Sequence, residues 1–199
     1  MKEKDLLRAV YTTALLNGTA TVGGVASALA EEPTAVRQAV GQASQEGLVE
    51  LRGDEVALTA GGRGRLTVVM LGGAFEIIHP GHIHTISESK KLGDTLVLVV
   101  AADGTVAKNK GRNPVTPQEL RVKLVSALRA VDAAVPGGGT SIYDTMQRIR
   151  PDIVALGYDQ WHNPKDIEDE AKKRGMPVKV VRLSSPLPGV KTSKILSST

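Results

Sequence analysis

Two histidines, His79 and His82, follow an apolar run and a pair of glycines, and this arrangement could bind an anion. The run at residues 66–71 is typical of a strand buried on both faces of a parallel sheet. Pro80 suits the first position of a helix, where its missing N–H costs nothing. Because a helix N-terminus carries unpaired N–H groups and partial positive charge, the spacing predicts a phosphate-binding site beside two imidazoles.

A basic stretch, Lys108-Asn-Lys110-Gly-Arg112, follows the next apolar run. We expect it to be a glycine-containing loop that could close over phosphate groups. On the residues alone, a solvated charge run is the better interpretation, because most such runs are surface.

Alternating strand and helix patterns from residue 64 onward predict an α/β domain, a Rossmann-like parallel sheet with helices on both faces. Ligands of such sheets bind at the carboxyl ends of the strands, which would bring residues 72–82, 102–103 and 157–160 to one edge. Strands are predicted at 66–72, 95–101, 132–135, 152–157 and 177–182, and helices at 80–92, 117–130, 141–149 and 164–174.

Residues 1–63 predict a separate small domain that resembles a winged helix-turn-helix. Helical spacing covers 4–16, 21–30 and 33–46, a hairpin is predicted at 48–51 and 56–58, and residues 60–64 are expected to be a linker. Arg37 is the single cation of the third helix, and this region has 6 Lys and Arg against 8 Asp and Glu. Because DNA affinity comes largely from phosphate neutralisation, a packing, dimerisation or lid module is favoured over nucleic-acid binding.

Composition and charge limit the classes of protein to which this chain can belong. The net charge is +4, and residues 65–199 hold 19 Lys and Arg against 13 Asp and Glu, which suits a nucleotide ligand. There is no cysteine, so disulfides and thiolate metal sites are excluded. No apolar run of about 18 residues exists to span a membrane. No secretory signal is visible, so a cytoplasmic location is expected.

The stretch Gly72-Gly-Ala-Phe-Glu-Ile-Ile-His-Pro-Gly-His82 resembles the signature of the HxGH nucleotidyltransferases, the cytidylyltransferase-like superfamily. The segment from Arg182 to Ile195 resembles the terminal element of that family. The chain departs from the usual Gly-Thr-Phe-Asp by having Glu76 as the acidic residue. The resemblance implies transfer of a nucleotidyl group from a nucleoside triphosphate to a phosphorylated acceptor, with release of pyrophosphate. Mg²⁺ would arrive with the triphosphate, since no cluster of metal ligands is visible.

The resemblance also implies roles for individual residues. The implied catalytic residues are His79, His82, Lys110 and Lys194. The implied nucleotide-binding residues are Gly73, Ala74, Phe75, Gly157, Asp159, Gln160, Thr192 and Ser193. The implied acceptor-binding residues are Asp103, Arg121 and Arg182. Two alternatives stay open: Asp103 as a turn-forming residue before a glycine, and Arg121 as an exposed helix cation.

The substrates are less firmly indicated. The stretches at residues 110–121 and 157–160 resemble archaeal FAD synthases, which favours ATP and FMN. The C-terminal cysteines associated with those enzymes are missing, and the Thr-Ser-Lys-Ile end resembles glycerol-3-phosphate cytidylyltransferase, so a CTP-dependent reaction is the alternative. Phosphopantetheine adenylylation is a weaker third. A nucleotide-sensing DNA-binding regulator is the alternative from another class, and a homodimer is also expected.

Overall fold

The computed structural model describes residues 1–138, 141–158, 160 and 162–184, and it contains two compact units. The first unit is Met1–Thr67 and the second is Val68–Thr199. The unit boundary falls after the predicted one because residues 60–64, expected to be a linker, are helical and pack with the first unit.

The first unit contains the three predicted helices and the predicted hairpin. A two-residue strand that the sequence pattern did not predict, β1, joins the hairpin and makes a three-stranded antiparallel sheet in the order β1-β3-β2. Its assignment to the winged-helix class stays a prediction. The elements are α1 Glu3–Asn17, β1 Ala20–Thr21, α2 Val22–Leu29, α3 Pro33–Gln45, β2 Val49–Arg52, β3 Glu55–Leu58 and α4 Ala60–Gly64.

The glycine-rich α4 is a helix because of a cap and a close packing contact. The Thr59 hydroxyl accepts a hydrogen bond from the Gly62 N–H at 3.0 Å, which is an N-terminal cap. A Cβ atom on Gly62 would lie 2.0 Å from the Leu48 carbonyl oxygen, so only glycine lets the two backbones approach. Tertiary packing therefore overrides the low helix propensity of this segment.

The second unit confirms the predicted α/β fold. All four strand pairs of its five-stranded sheet are parallel, and the strand order is β6-β5-β4-β7-β8. The elements are β4 Val68–Gly73, α5 Pro80–Lys90, β5 Thr95–Val100, α6 Asp103–Lys110, α7 Gln118–Ser126, β6 Ala133–Pro136, α8 Ile142–Ile149, β7 Ile153–Leu156, α9 Pro164–Lys173 and β8 Lys179–Arg182.

The basic stretch at residues 108–112 is not simply the expected loop. Its first half, up to Lys110, is the last turn of α6, and the helix ends at Gly111 with φ of +69°. Glycine is favoured there because other residues are strained in the left-handed region. The cations of this stretch are therefore held at the end of a helix.

Strand β4 lies at the centre of the sheet, and the chain changes direction around it. From β4 the chain continues to β5 and β6 on one side, and it then crosses to β7 and β8 on the other. The gap between the carboxyl ends of β4 and β7 is therefore the topological switch point, where ligands of such sheets bind. The buried apolar cluster beneath it comprises Val69, Leu71, Phe75, Ile86, Leu96, Leu98, Val100, Val125, Ala134 and Ala155.

Within the described part of the chain, no helix is both long enough and apolar enough to cross a membrane.

Candidate active site

The two histidines meet at the N-terminus of α5, directly after the central strand. His79 precedes the helix with extended backbone (φ −140°, ψ 167°), and Pro80 takes its first position. The rings of His79 and His82 lie 4.0 Å apart between centroids. No side chain caps this helix, so its first N–H groups and the paired imidazoles form one donor-rich end.

An unusual turn before the helix sets the position of the second imidazole. Phe75 has φ of +49°, which is rare for a residue with a side chain, and its ring is buried against Gly73. A Cβ atom on Gly73 would lie 2.7 Å from that ring, so the glycine makes room for it. The Phe75 ring also lies 5.5 Å from the His82 ring between centroids. Gly73 and Phe75, both predicted to contact nucleotide, thus also shape the turn.

Burial lowers the pKa of His79 below its ordinary value, because desolvation disfavours the imidazolium. Its Nδ1 atom is buried and makes no hydrogen bond within the described structure. Burial therefore favours the neutral form of the His79 imidazole.

Glu76 gathers two basic residues at the turn that precedes the histidines in the chain. Its side chain has no exposed surface, and it forms ion pairs with Lys110 and with Arg112, the latter at 2.8 Å. The Val115 N–H also donates to it at 3.2 Å. We call Glu76, Lys110, Arg112 and Val115 the Glu76 cluster. It brings Lys110, rather than the exposed Lys108, to the residues that precede His79.

The charge of Glu76 is stabilised strongly within this cluster. Burial alone would raise its pKa, but hydrogen bonds from Arg112, Lys110 and the Val115 N–H outweigh burial and lower the pKa from 4.5 to about 2. The carboxylate is therefore ionised across the physiological range.

Arg121 is fully buried, so the alternative of an exposed helix cation is wrong. Its guanidinium donates to the carbonyl oxygens of Ala74, Ala101 at 2.8 Å and Thr116 at 3.0 Å, and to one oxygen of Asp103. Ala74 follows β4, Ala101 and Asp103 follow β5, and Thr116 precedes α7. Arg121 therefore ties the strand ends together, and the acceptor contact that the resemblance implied stays a prediction.

Gln160 and Arg182 hold the backbone on the other side of the switch point. The Gln160 amide donates to the Gly72 carbonyl at 2.8 Å and accepts from the Gly157 N–H at 3.2 Å, so it joins the ends of β4 and β7. Arg182 donates to the carbonyl oxygens of Gly157 at 3.1 Å, Gln160 at 2.7 Å and His162. Both side chains, predicted to contact substrates, are engaged with the backbone of Gly157, and Arg182 also with that of Gln160 and His162.

Several predicted site residues lie outside the described residues. They are Asp159, Thr192, Ser193 and Lys194, together with the neighbouring Trp161.

Sequence reasoning missed two contributors to this edge. Arg112 was part of a noted motif but received no role, although it forms both hydrogen bonds of a fork with Glu76. Gln118 donates to the carbonyl oxygens of Val100 at 2.8 Å and Gly137 at 2.7 Å, which joins the ends of β5 and β6. The unusual glutamate of the signature was the available sequence signal for Arg112. No sequence signal indicated the role of Gln118.

The low pKa of Glu76 predicts a pH-dependent contribution to stability. A carboxyl with a depressed folded pKa stabilises the protein above its unfolded pKa of 4.5, and this contribution is lost as pH falls through about 2. Urea unfolding of wild type and Glu76→Gln should therefore show a difference in the free energy of unfolding that is about 3 kcal/mol larger at pH 7 than near pH 2. A difference independent of pH would contradict the ion-pair account. Glu88→Gln, which removes a solvent-facing pair with Lys91, is the matched control.

Comparisons with known proteins agree with this geometry. A cytidylyltransferase-like family model matches residues 70–199. The FAD synthase of Methanothrix thermoacetophila is 48% identical over 122 residues, which cover 61% of this chain and 84% of the relative. The FAD synthase of Aciduliprofundum boonei is 49% identical over 115 residues, which cover 58% and 76%.

A solved structure extends the comparison to three dimensions. The crystal structure of a lipopolysaccharide core biosynthesis protein from Thermoplasma volcanium has 43% sequence identity and a TM-score of 0.58, and it covers 60% of this chain and 98% of that one. Since the family model spans well over half of the chain and includes the histidine pair, the resemblance inferred from the signature is confirmed. The chain belongs to the cytidylyltransferase-like family and is a nucleotidyltransferase.

Proposed function

We propose that this nucleotidyltransferase transfers the adenylyl group of ATP to FMN, which yields FAD and pyrophosphate. The observation that carries the reaction type is the pair of imidazoles at an uncapped helix N-terminus, beside the switch point of a parallel sheet. The choice of substrates is supported by relatives at 48% and 49% identity that are FAD synthases. This identity outweighs the absence of the C-terminal cysteines that the sequence analysis associated with archaeal FAD synthases.

The reaction forms one P–O bond and breaks another. An oxygen of the FMN phosphate attacks the α-phosphorus of ATP, and the bond from that phosphorus to the bridging oxygen of the β-phosphate breaks as pyrophosphate leaves. The protein must align these anions and stabilise the charge that develops on them. We assign this role to hydrogen bonds from His79 and His82 and to the positive charge of Lys110, with Lys194 as a further candidate outside the described residues.

Asp103 remains our candidate for contact with the acceptor. Arg121 engages one of its carboxylate oxygens, while the side chain keeps 46% of its surface exposed. The second oxygen can therefore accept a hydrogen bond from a hydroxyl or N–H group of the acceptor. Arg121 and Arg182 are better assigned to positioning, because both are engaged with backbone carbonyls.

We propose that a divalent cation enters with the triphosphate. Among the described residues, no group of three His, Cys, Asp or Glu side chains is placed to hold a metal ion. Phosphate oxygens and water would then supply most ligands, which suits Mg²⁺. When bound, the cation would neutralise phosphate charge and favour departure of pyrophosphate.

The first unit is not proposed to bind nucleic acid. Arg37, the single cation of α3, forms an ion pair with Asp54 at 2.6 Å and donates to the Gly53 carbonyl. Since α3 offers no other cation for phosphate neutralisation, we favour the packing, dimerisation or lid module over the regulator alternative. The homodimer and the cytoplasmic location stay predictions.

The substrates can be tested with one assay of pyrophosphate release. ATP and CTP are each paired with FMN, glycerol 3-phosphate and phosphopantetheine in the presence of Mg²⁺. We expect release only with ATP and FMN, because the similarity to FAD synthases covers most of their length. Release only with CTP would reject the proposal in favour of the cytidylyltransferase alternative.

The role of the histidine pair can be tested by substitution. His82→Ala should lower kcat by roughly 10²- to 10³-fold, as expected for loss of a preorganised donor to the transition state. His84→Ala removes the same side chain two residues further along α5 and should leave kcat close to wild type. Thermal unfolding of both variants checks that the fold is kept. Equal activity of the His82 and His84 variants would contradict the assignment.

A further inference from the structure

Both oxygens of the Glu76 carboxylate accept hydrogen bonds from two donors each. One oxygen, Oε1, accepts from Arg112 Nη1 at 2.8 Å and from the Val115 N–H at 3.2 Å. The other, Oε2, accepts from Lys110 Nζ and from Arg112 Nη2 at 3.2 Å. The side chain has no exposed surface, so the carboxylate itself is closed to a substrate. Its direct effect is on the two cations that surround it.

The two cations, in contrast, keep contact with solvent. The side chains of Lys110 and Arg112 are 35% and 40% exposed. An ammonium has three N–H groups and a guanidinium has five, and Glu76 uses only part of them. Arg112 also donates to the Asn113 carbonyl at 2.9 Å. The cluster therefore has a net charge of +1, a buried anion inside and spare donors outside.

The cluster also fixes where those donors are. Glu76 lies three residues before His79, in the turn that joins β4 to α5, whereas its partners lie at the end of α6 and in the segment before α7. A buried carboxylate is costly unless it is fully paired, so the pairing holds the basic segment against the turn. Long basic side chains otherwise lose rotamer freedom when they bind a ligand.

We propose that Glu76 is a positioning residue for adenylyl transfer, whose buried carboxylate holds Lys110 and Arg112 so that their remaining N–H groups meet the triphosphate. This inference rests on the proposed function. It adds Arg112 to the phosphate-binding groups, and it gives a role to the residue in which the chain departs from the signature. Glu76 acts through the two cations and does not contact the substrate.

The positioning role predicts a separation of kcat from KM. In Glu76→Gln the negative charge is lost, so the two cations are free to move and the net charge near the triphosphate rises by one. Ground-state attraction for ATP is kept or strengthened, while alignment in the transition state is lost. We expect kcat to fall at least about tenfold, with KM for ATP no higher than in wild type.

A double-mutant cycle shows whether the effect runs through the cations. Arg112→Gln should lower kcat by itself, and adding Glu76→Gln to it should cost clearly less than Glu76→Gln costs in wild type. Because Lys110 still pairs with the carboxylate, the single Arg112 variant does not leave a buried charge alone. Glu76→Asp keeps the charge on a shorter arm and should restore part of kcat. Glu88→Gln is the control for loss of a carboxylate elsewhere on the unit.

Several results would overturn the proposal. They are kcat of Glu76→Gln close to wild type, a rise in KM with kcat unchanged, and additive losses in the cycle. If Glu76→Gln does not fold, the proposal is tested with Lys110→Gln and Arg112→Gln, because both of these positions are partly exposed. A kcat near wild type in both variants rejects the positioning role. An inactive wild type with ATP and FMN would instead be a failure of the proposed function, so the two failures are distinguishable.

Discussion

The active-site edge of the sheet depends on the hydrogen bonds that the buried guanidinium of Arg121 donates. A charge with no exposed surface is stable only when its donors are satisfied, and here the carbonyl oxygens of Ala74, Ala101 and Thr116 and the carboxylate of Asp103 satisfy them. Because these groups belong to three separate segments, none can shift without leaving the charge partly unpaired. The turn after β4, the start of α6 and the segment before α7 are thus fixed to one another.

The edge is built from charges in two layers. The inner layer consists of two fully buried side chains, Arg121 and Glu76. Both form hydrogen bonds with backbone groups as well as with charged side chains. The outer layer consists of partly exposed groups, Asp103, Lys110 and Arg112, each paired with a member of the inner layer. Each outer group keeps hydrogen-bonding capacity for a ligand, while its ion pair with a buried group sets its position. Preorganisation of this kind lowers the cost of aligning anions for phosphorus chemistry.

Much of this fold could be predicted because its local signals are strong. The continuous apolar run of β5 and the Gly–Gly and His–Pro–Gly–His pattern around β4 and α5 identify a buried strand, a turn and a helix start. Helix α6 was missed because Val106 is its single fully buried residue, which leaves no apolar period. Helix α4 was missed because its glycines are typical of a linker, while the contact that requires them is tertiary.

The roles of individual charged residues were harder to predict. Arg121 stands between Leu120 and Val122 in a helix, and nothing in the sequence indicates that the carbonyl oxygens of two distant segments converge on it. The same holds for Gln160, whose partner Gly72 lies at the end of β4, and for Arg182, whose partner Gly157 follows β7. Topology alone predicted the position of Gln160 at this edge of the sheet, whereas Arg121 and Arg182 were assigned to the site only through the family resemblance. Which of them face a substrate depends on side-chain packing, which periodicity does not record.

The central claim is that this edge transfers an adenylyl group, rather than a phosphoryl group, to FMN. The most direct measurement supplies FMN with ATP labelled at either the α- or the γ-phosphorus and follows the label into the separated flavin products. We expect the α-label in FAD and the γ-label in pyrophosphate. A flavin product carrying the γ-label, or an α-label that never enters flavin, would contradict it.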